Sequence, residues 1–152
     1  MTQVNLQEAI KDSIQTEKDA MDFYQLCAER SQDEKAAKSF EILAKEEREH
    51  AHQFYRIYPG TDLPAFETLI VEAPRSDSPW LADLNKMIGH EFDEQRALQL
   101  AMDKEEELEK YLREMAAKID DGDVKKVYLS NASSTHGHFE LIRQDYEDIY
   151  GA

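Results

Sequence analysis

The sequence predicts an all-α fold, a four-helix bundle of two helical hairpins joined by a long crossover, and three observations carry that expectation. Among 152 residues there are only 5 Gly and 4 Pro, and the rest of the composition favours good helix formers. Apolar and small residues recur at helical spacing in four separate stretches. All four prolines, Pro59, Pro64, Pro74 and Pro79, fall within one segment where no helical period can be traced.

The first helix is expected over about residues 5–30, on a stripe of Leu6, Ile10, Ser13/Ile14, Ala20/Met21, Tyr24 and Cys27/Ala28. Ser31-Gln32-Asp33 offers capping side chains, and the second helix follows over about 33–58 on Ala36/Ala37, Phe40, Leu43/Ala44, Ala51, Phe54 and Ile57/Tyr58. Pro59-Gly60 ends it and opens a crossover, 59–78. Ser78-Pro79 has the form of a helix start, and the third helix is expected to span about 79–119, with Gly89 as the point of any bend or break. The acidic turn Asp120-Asp121-Gly122-Asp123 leads into the last helix, about 123–149, which turns Tyr128, Ala132, Phe139, Ile142, Tyr146 and Ile149 inward. This length suits one domain over 1–152.

Composition removes several classes of function. A formal net charge of −15 repels phosphate backbones and anionic lipid and attracts small cations, so neither a nucleic acid nor a membrane is an expected partner. No stretch reaches the roughly 20 apolar residues of a membrane helix, and the opening MTQVNLQEAIKDS lacks the basic-then-apolar pattern of a signal peptide. A cytoplasmic protein is expected. The single cysteine, Cys27, excludes an internal disulfide or a multi-thiolate metal site and reads as a small core residue.

The two halves repeat. A shift of 88 positions aligns Gln7 with Gln95, Glu17 with Glu105, Asp33 with Asp121, Ala44 with Ala132, His50 with His138 and Tyr58 with Tyr146, without a gap. Two of these pairs are polar residues inside apolar stripes. Glu17 lies three residues after Ile14 and three before Ala20; Glu105 lies between Met102 and Leu108. Glu47 and His50 share the inward face between Leu43 and Phe54, and His138 sits inward before Ile142. A lone buried carboxylate is costly and calls for a cation. One inward Glu on each odd helix with Glu-x-x-His on each even helix is the pattern by which bundles hold two iron or manganese ions. Five of its six positions are present, and Thr135 stands at the sixth. By contrast, Glu46, Glu49, His52, His90 and His136 read as a solvated face, and Tyr24, two turns beyond Glu17, as a core aromatic or a neighbour of the metals.

At Glu17-x6-Tyr24, Glu46-Glu47-Arg48-Glu49-His50, Glu105 and His138 the chain resembles the rubrerythrin-like, ferritin-like superfamily. The resemblance implies a ferritin-like four-helix bundle with Glu17 and Glu105 as terminal ligands, Glu47 as a bridge, and His50 and His138 as one imidazole per metal. It implies iron, two ions, with one ion on Glu17, Glu47 and His50 as the alternative because Thr135 replaces a bridging Glu; zinc or manganese suits the same donors. It further implies O2 or H2O2 as oxidant, peroxide reduction or Fe(II) oxidation as the outcome, and a homodimer. The family's rubredoxin-like cysteine module has no counterpart here, so electrons would come from a separate donor protein. The competing expectation is a degenerate ferritin-like metal binder, serving as sensor, carrier or structural partner without turnover.

Overall fold

The computed structural model describes residues 5–88 and 92–151, the last two side chains before the gap excepted. Its helices are α1 (Leu6–Arg30), α2 (Glu34–Arg56), α3 (Phe66–Leu69), α4 (Pro79–Ile88), α5 (Glu94–Lys118) and α6 (Gly122–Tyr150). The fold is all-α, with no strand among the described residues. Helix α1 packs mainly on α2 and α5 on α6; contacts of α2 with α6 join the hairpins, and α4 packs on α1. No described helix is long and apolar enough to cross a membrane.

The internal repeat holds at the level of helix boundaries. Leu6 and Glu94 begin α1 and α5, Arg30 and Lys118 end them, and Glu34 and Gly122 begin α2 and α6, each pair 88 positions apart. The caps follow the same register. Asn5 Oδ1 accepts from the Glu8 amide at 3.2 Å, and Asp93 Oδ1 accepts from the Arg96 amide at 3.0 Å. Asp33 and Asp121 cap α2 and α6 in the same way. Each cap satisfies an amide that the first helical turn leaves without a partner, worth about 1 kcal/mol. Even the Gln7–Tyr58 hydrogen bond, 3.2 Å, has its counterpart in Gln95–Tyr146, 2.9 Å.

The expected single helix over 79–119 is two helices. Helix α4 ends at Ile88 and α5 begins after the Asp93 cap, which occupies the repeat position of the Asn5 cap. Gly89, the anticipated break point, and His90 lie outside the described residues. The crossover also contains α3, a single turn whose Phe66 stacks on His52 (centroids 4.5 Å) and meets Tyr55 edge-on. Polar side chains of α1 tie the crossover down. Lys18 Nζ, fully enclosed, donates to Asp22 Oδ2 at 2.7 Å and to the Glu72 carbonyl at 2.9 Å, while Arg75 pairs with buried Asp19 at 2.7 Å.

The core runs along all four long helices and includes Ile10, Phe23, Tyr24, Phe40, Leu43, Phe54, Leu98, Leu112, Tyr128 and Ile142, none with measurable exposure. Each such side chain contributes roughly 1.5–3 kcal/mol through removal from water. Cys27 is fully buried, and burial raises its thiol pKa far above the ordinary range, which makes it an inert core residue. Phe139, Tyr146 and Ile149, expected to turn inward, are only half-buried.

Candidate metal centre

Midway along the bundle the apolar core gives way to a polar layer. Glu17, Glu47 and Glu105 have no exposure, and His50 and His138 are buried at 5 % and 3 %. The structure brings all five sequence-predicted residues together in two overlapping groups, Glu17–Glu47–His50 and Glu47–Glu105–His138, with one donor atom from each member of a group within 4.8 Å of the others. Glu47 belongs to both. Helix periodicity explains the convergence: Glu47 and His50 are separated by one turn of α2, Thr135 and His138 by one turn of α6, and Glu17 and Glu105 face them from α1 and α5.

The donor atoms are close without being hydrogen-bonded. His138 Nδ1 is 2.8 Å from Glu47 Oε1 and 3.7 Å from Glu105 Oε1; His50 Nδ1 is 3.5 Å from Glu17 Oε2 and 3.7 Å from Glu47 Oε2. Yet both oxygens of Glu17, both of Glu47, Glu105 Oε2 and both Nδ1 atoms lack a hydrogen-bond partner. A short separation with poor alignment means that these atoms point past one another toward common points. Two donors bound side by side to one first-row metal ion at roughly 2.0–2.2 Å stand about 3 Å apart, which matches the closest pair.

Neighbouring side chains hold the donors in this orientation. His50 Nε2 shares a 2.9 Å hydrogen bond with the Ser134 hydroxyl, and His138 Nε2 lies 3.3 Å from Glu46 Oε1 and 3.5 Å from the same hydroxyl. Engaging Nε2 leaves Nδ1 turned inward on both rings. Tyr24 donates to Glu105 Oε1 at 2.5 Å and so leaves Oε2 free. Its repeat counterpart is Leu112, so Glu17 receives no equivalent support.

Electrostatics without an ion are those of a proton-filled cluster. Burial, and then the charge of Glu47, raise the Glu17 pKa well above the carboxylate range. The same two causes lift Glu105 to about 7. Burial opposes the charging of both imidazoles, but Glu47 and Glu17 bring His50 up to about 10, and Glu105 and Glu47 bring His138 up to about 11. Glu47 is also penalised by burial, but its contacts with Glu17 and the two histidines push it below the ordinary carboxylate range. Protons therefore occupy the positions where divalent cations would compete.

Sequence reasoning missed Glu46, Ser134 and the direct reach of Tyr24. Glu46 reads from its spacing as part of the solvated face, and its side chain is half-exposed, but its carboxylate turns back to His138. A signal existed: Glu46 and Ser134 are 88 apart and each precedes a bridging position, so the repeat pairs them. His136 is exposed and bonds Glu109 at 2.9 Å, so His138 alone of the two faces the layer. Thr135 is fully buried at the position equivalent to Glu47.

Residues 1–67 match the family model Rubrerythrin. The match spans α1, α2 and the start of the crossover, including Glu17, Tyr24, Glu47 and His50, and supports the rubrerythrin-like, ferritin-like resemblance. Comparison with curated proteins and with solved structures gives no match.

Proposed function

We propose that this rubrerythrin-like protein holds iron between its two hairpins, Glu17, Glu47 and His50 binding one ion and Glu105, Glu47 and His138 a second, and acts in peroxide reduction or Fe(II) oxidation. The observation that carries the reading is the set of buried donor atoms on these five residues that lie together with no hydrogen-bond partner. Unmatched buried polar groups are costly, and native proteins retain them where a ligand satisfies them. Carboxylate and imidazole donors suit Fe(II), Mn(II) and Zn(II). Bound iron would supply one-electron chemistry toward O2 or H2O2 that no side chain here offers.

The chain's own residues provide the rest. Glu47, shared between the groups, offsets the repulsion of two cations. Glu46 and Ser134 fix the imidazole orientations, and Tyr24 fixes Glu105 and stands as a proton donor at Oε1. The surrounding core, with Phe40 stacked on Tyr24 at 6.0 Å and Phe54 edge-on to Tyr128 at 4.8 Å, limits the entry of water.

A second reading, a metal binder without turnover, draws on Thr135, which removes one bridging carboxylate. Anaerobic loading with Fe(II), followed by peroxide, separates the two. Rapid oxidation of two irons per chain, with recovery on reduction, supports the catalytic reading. Uptake of a single ion that is not oxidised and re-reduced supports the binder. No metal uptake at all would end both.

A further inference from the structure

We propose that Thr135, at the repeat position of Glu47, marks a binding subsite for a small carboxylate-type monoanion such as formate, which takes the place of the missing bridging side chain and accepts a hydrogen bond from the Thr135 hydroxyl. This inference rests on the metal-centre reading and deepens it.

Three observations carry it. The helix boundaries and caps of the two hairpins coincide under the repeat, so Thr135 holds on α6 the register position that Glu47 holds on α2. A threonine side chain ends at the γ position. The atoms it lacks relative to glutamate include a carboxylate carbon and its two oxygens, which are the heavy atoms of formate.

The second observation is the hydroxyl itself. Thr135 is wholly buried and its Oγ1 has no hydrogen-bond partner. Helical Ser and Thr ordinarily satisfy themselves on the carbonyl one turn back. Ser13 does so on Ala9 at 2.9 Å and Thr16 on Asp12 at 2.8 Å. Thr135 does not, although it lies one turn from His138 on the same buried face.

Charge is the third. Glu17, Glu47 and Glu105 leave two divalent cations with one formal positive charge, which a monoanion neutralises. Larger or dianionic ligands fit neither the missing volume nor the missing charge.

The test uses the full chain loaded with Zn(II), which has no redox chemistry of its own, and calorimetric titration with sodium formate. One formate per chain is expected, bound about ten-fold or more weakly in Thr135→Val, which keeps the shape and removes the donor. Thr135→Glu, which supplies its own carboxylate, should abolish binding. Wild-type protein that takes up two ions but no formate, or formate binding unchanged in both variants, overturns the subsite while leaving the metal centre standing. Failure to take up zinc overturns both.

Discussion

The imidazole rings of His50 and His138 lie parallel, with centroids 5.3 Å apart and planes within 9°, one from each hairpin. Their Nδ1 atoms both face Glu47 and their Nε2 atoms both meet the Ser134 hydroxyl. Two imidazoliums at this distance repel, and Glu47 is the anion that makes the arrangement tolerable. Glu47→Gln should therefore act on both rings at once. The histidine pKa values should fall markedly, read by NMR titration, and uptake of both ions should fail in equilibrium dialysis. His50→Ala should remove one ion and spare the Glu47–Glu105–His138 group.

The metal-free protein should lose stability as pH rises through neutrality. Glu105, with a folded-state pKa near 7, stabilises the fold below its ordinary carboxylate value, and that contribution is lost as pH climbs through about 7. Glu17 shifts in the same direction. His50 and His138, raised to about 10 and 11, contribute fully below their ordinary value and lose that contribution progressively as pH climbs from there through their folded-state values, so they add to the same trend. Scanning calorimetry in the presence of chelator should show a melting temperature several degrees lower at about pH 8.5 than at about pH 6. Zinc should reverse the trend, because its binding expels protons and strengthens with pH. A metal-free melting temperature that rises over this interval would contradict the proton-filled cluster.

Tyr24→Phe removes the hydrogen bond to Glu105 Oε1 while keeping the ring among Phe23, Phe40 and Trp80. The metal-free fold should lose about 1–3 kcal/mol, the usual cost of stranding a buried acceptor. Affinity for the ion on Glu105 should weaken by roughly 10–100-fold, as when other supporting hydrogen bonds are lost. The Glu17 group should be unaffected, since Leu112 gives it no donor to lose. Stepwise zinc titration that weakens both ions equally would refute this asymmetry.

Periodicity and the 88-residue repeat made much of the architecture legible: four long stripes, the hairpin pairing and five inward polar residues. They are features of spacing, which survive without knowledge of neighbours. What spacing cannot carry is contact across helices. Glu46 is half-exposed on its own helix, and only the approach of α6 reveals its carboxylate at His138. Spacing offered Gly89 as a point of bend or break, but the start of α5 is marked through the repeat, where Asp93 matches the Asn5 cap. Lys18, Asp19 and Asp22 of α1 are buried through contacts with the crossover, a segment with no period of its own, so spacing gave no sign of them.

That covering makes the last prediction. Lys18 and Asp22 are side chains with 2 % and 4 % exposure, one turn apart on α1, and the ammonium also binds the Glu72 carbonyl. Burial raises the Asp22 pKa, and its pairing with Lys18 opposes the rise. Lys18→Met alone should strand the Asp22 carboxylate beneath the crossover, a loss of about 3–5 kcal/mol. Lys18→Met with Asp22→Leu removes both charges and should recover most of it, because desolvating an ion pair costs nearly as much as the pair returns. Amide exchange at residues 69–73 should rise in the single variant and return toward wild type in the double. Equal losses in both variants would show instead that the carbonyl contact of Lys18, rather than its charge pairing, fastens the crossover to α1.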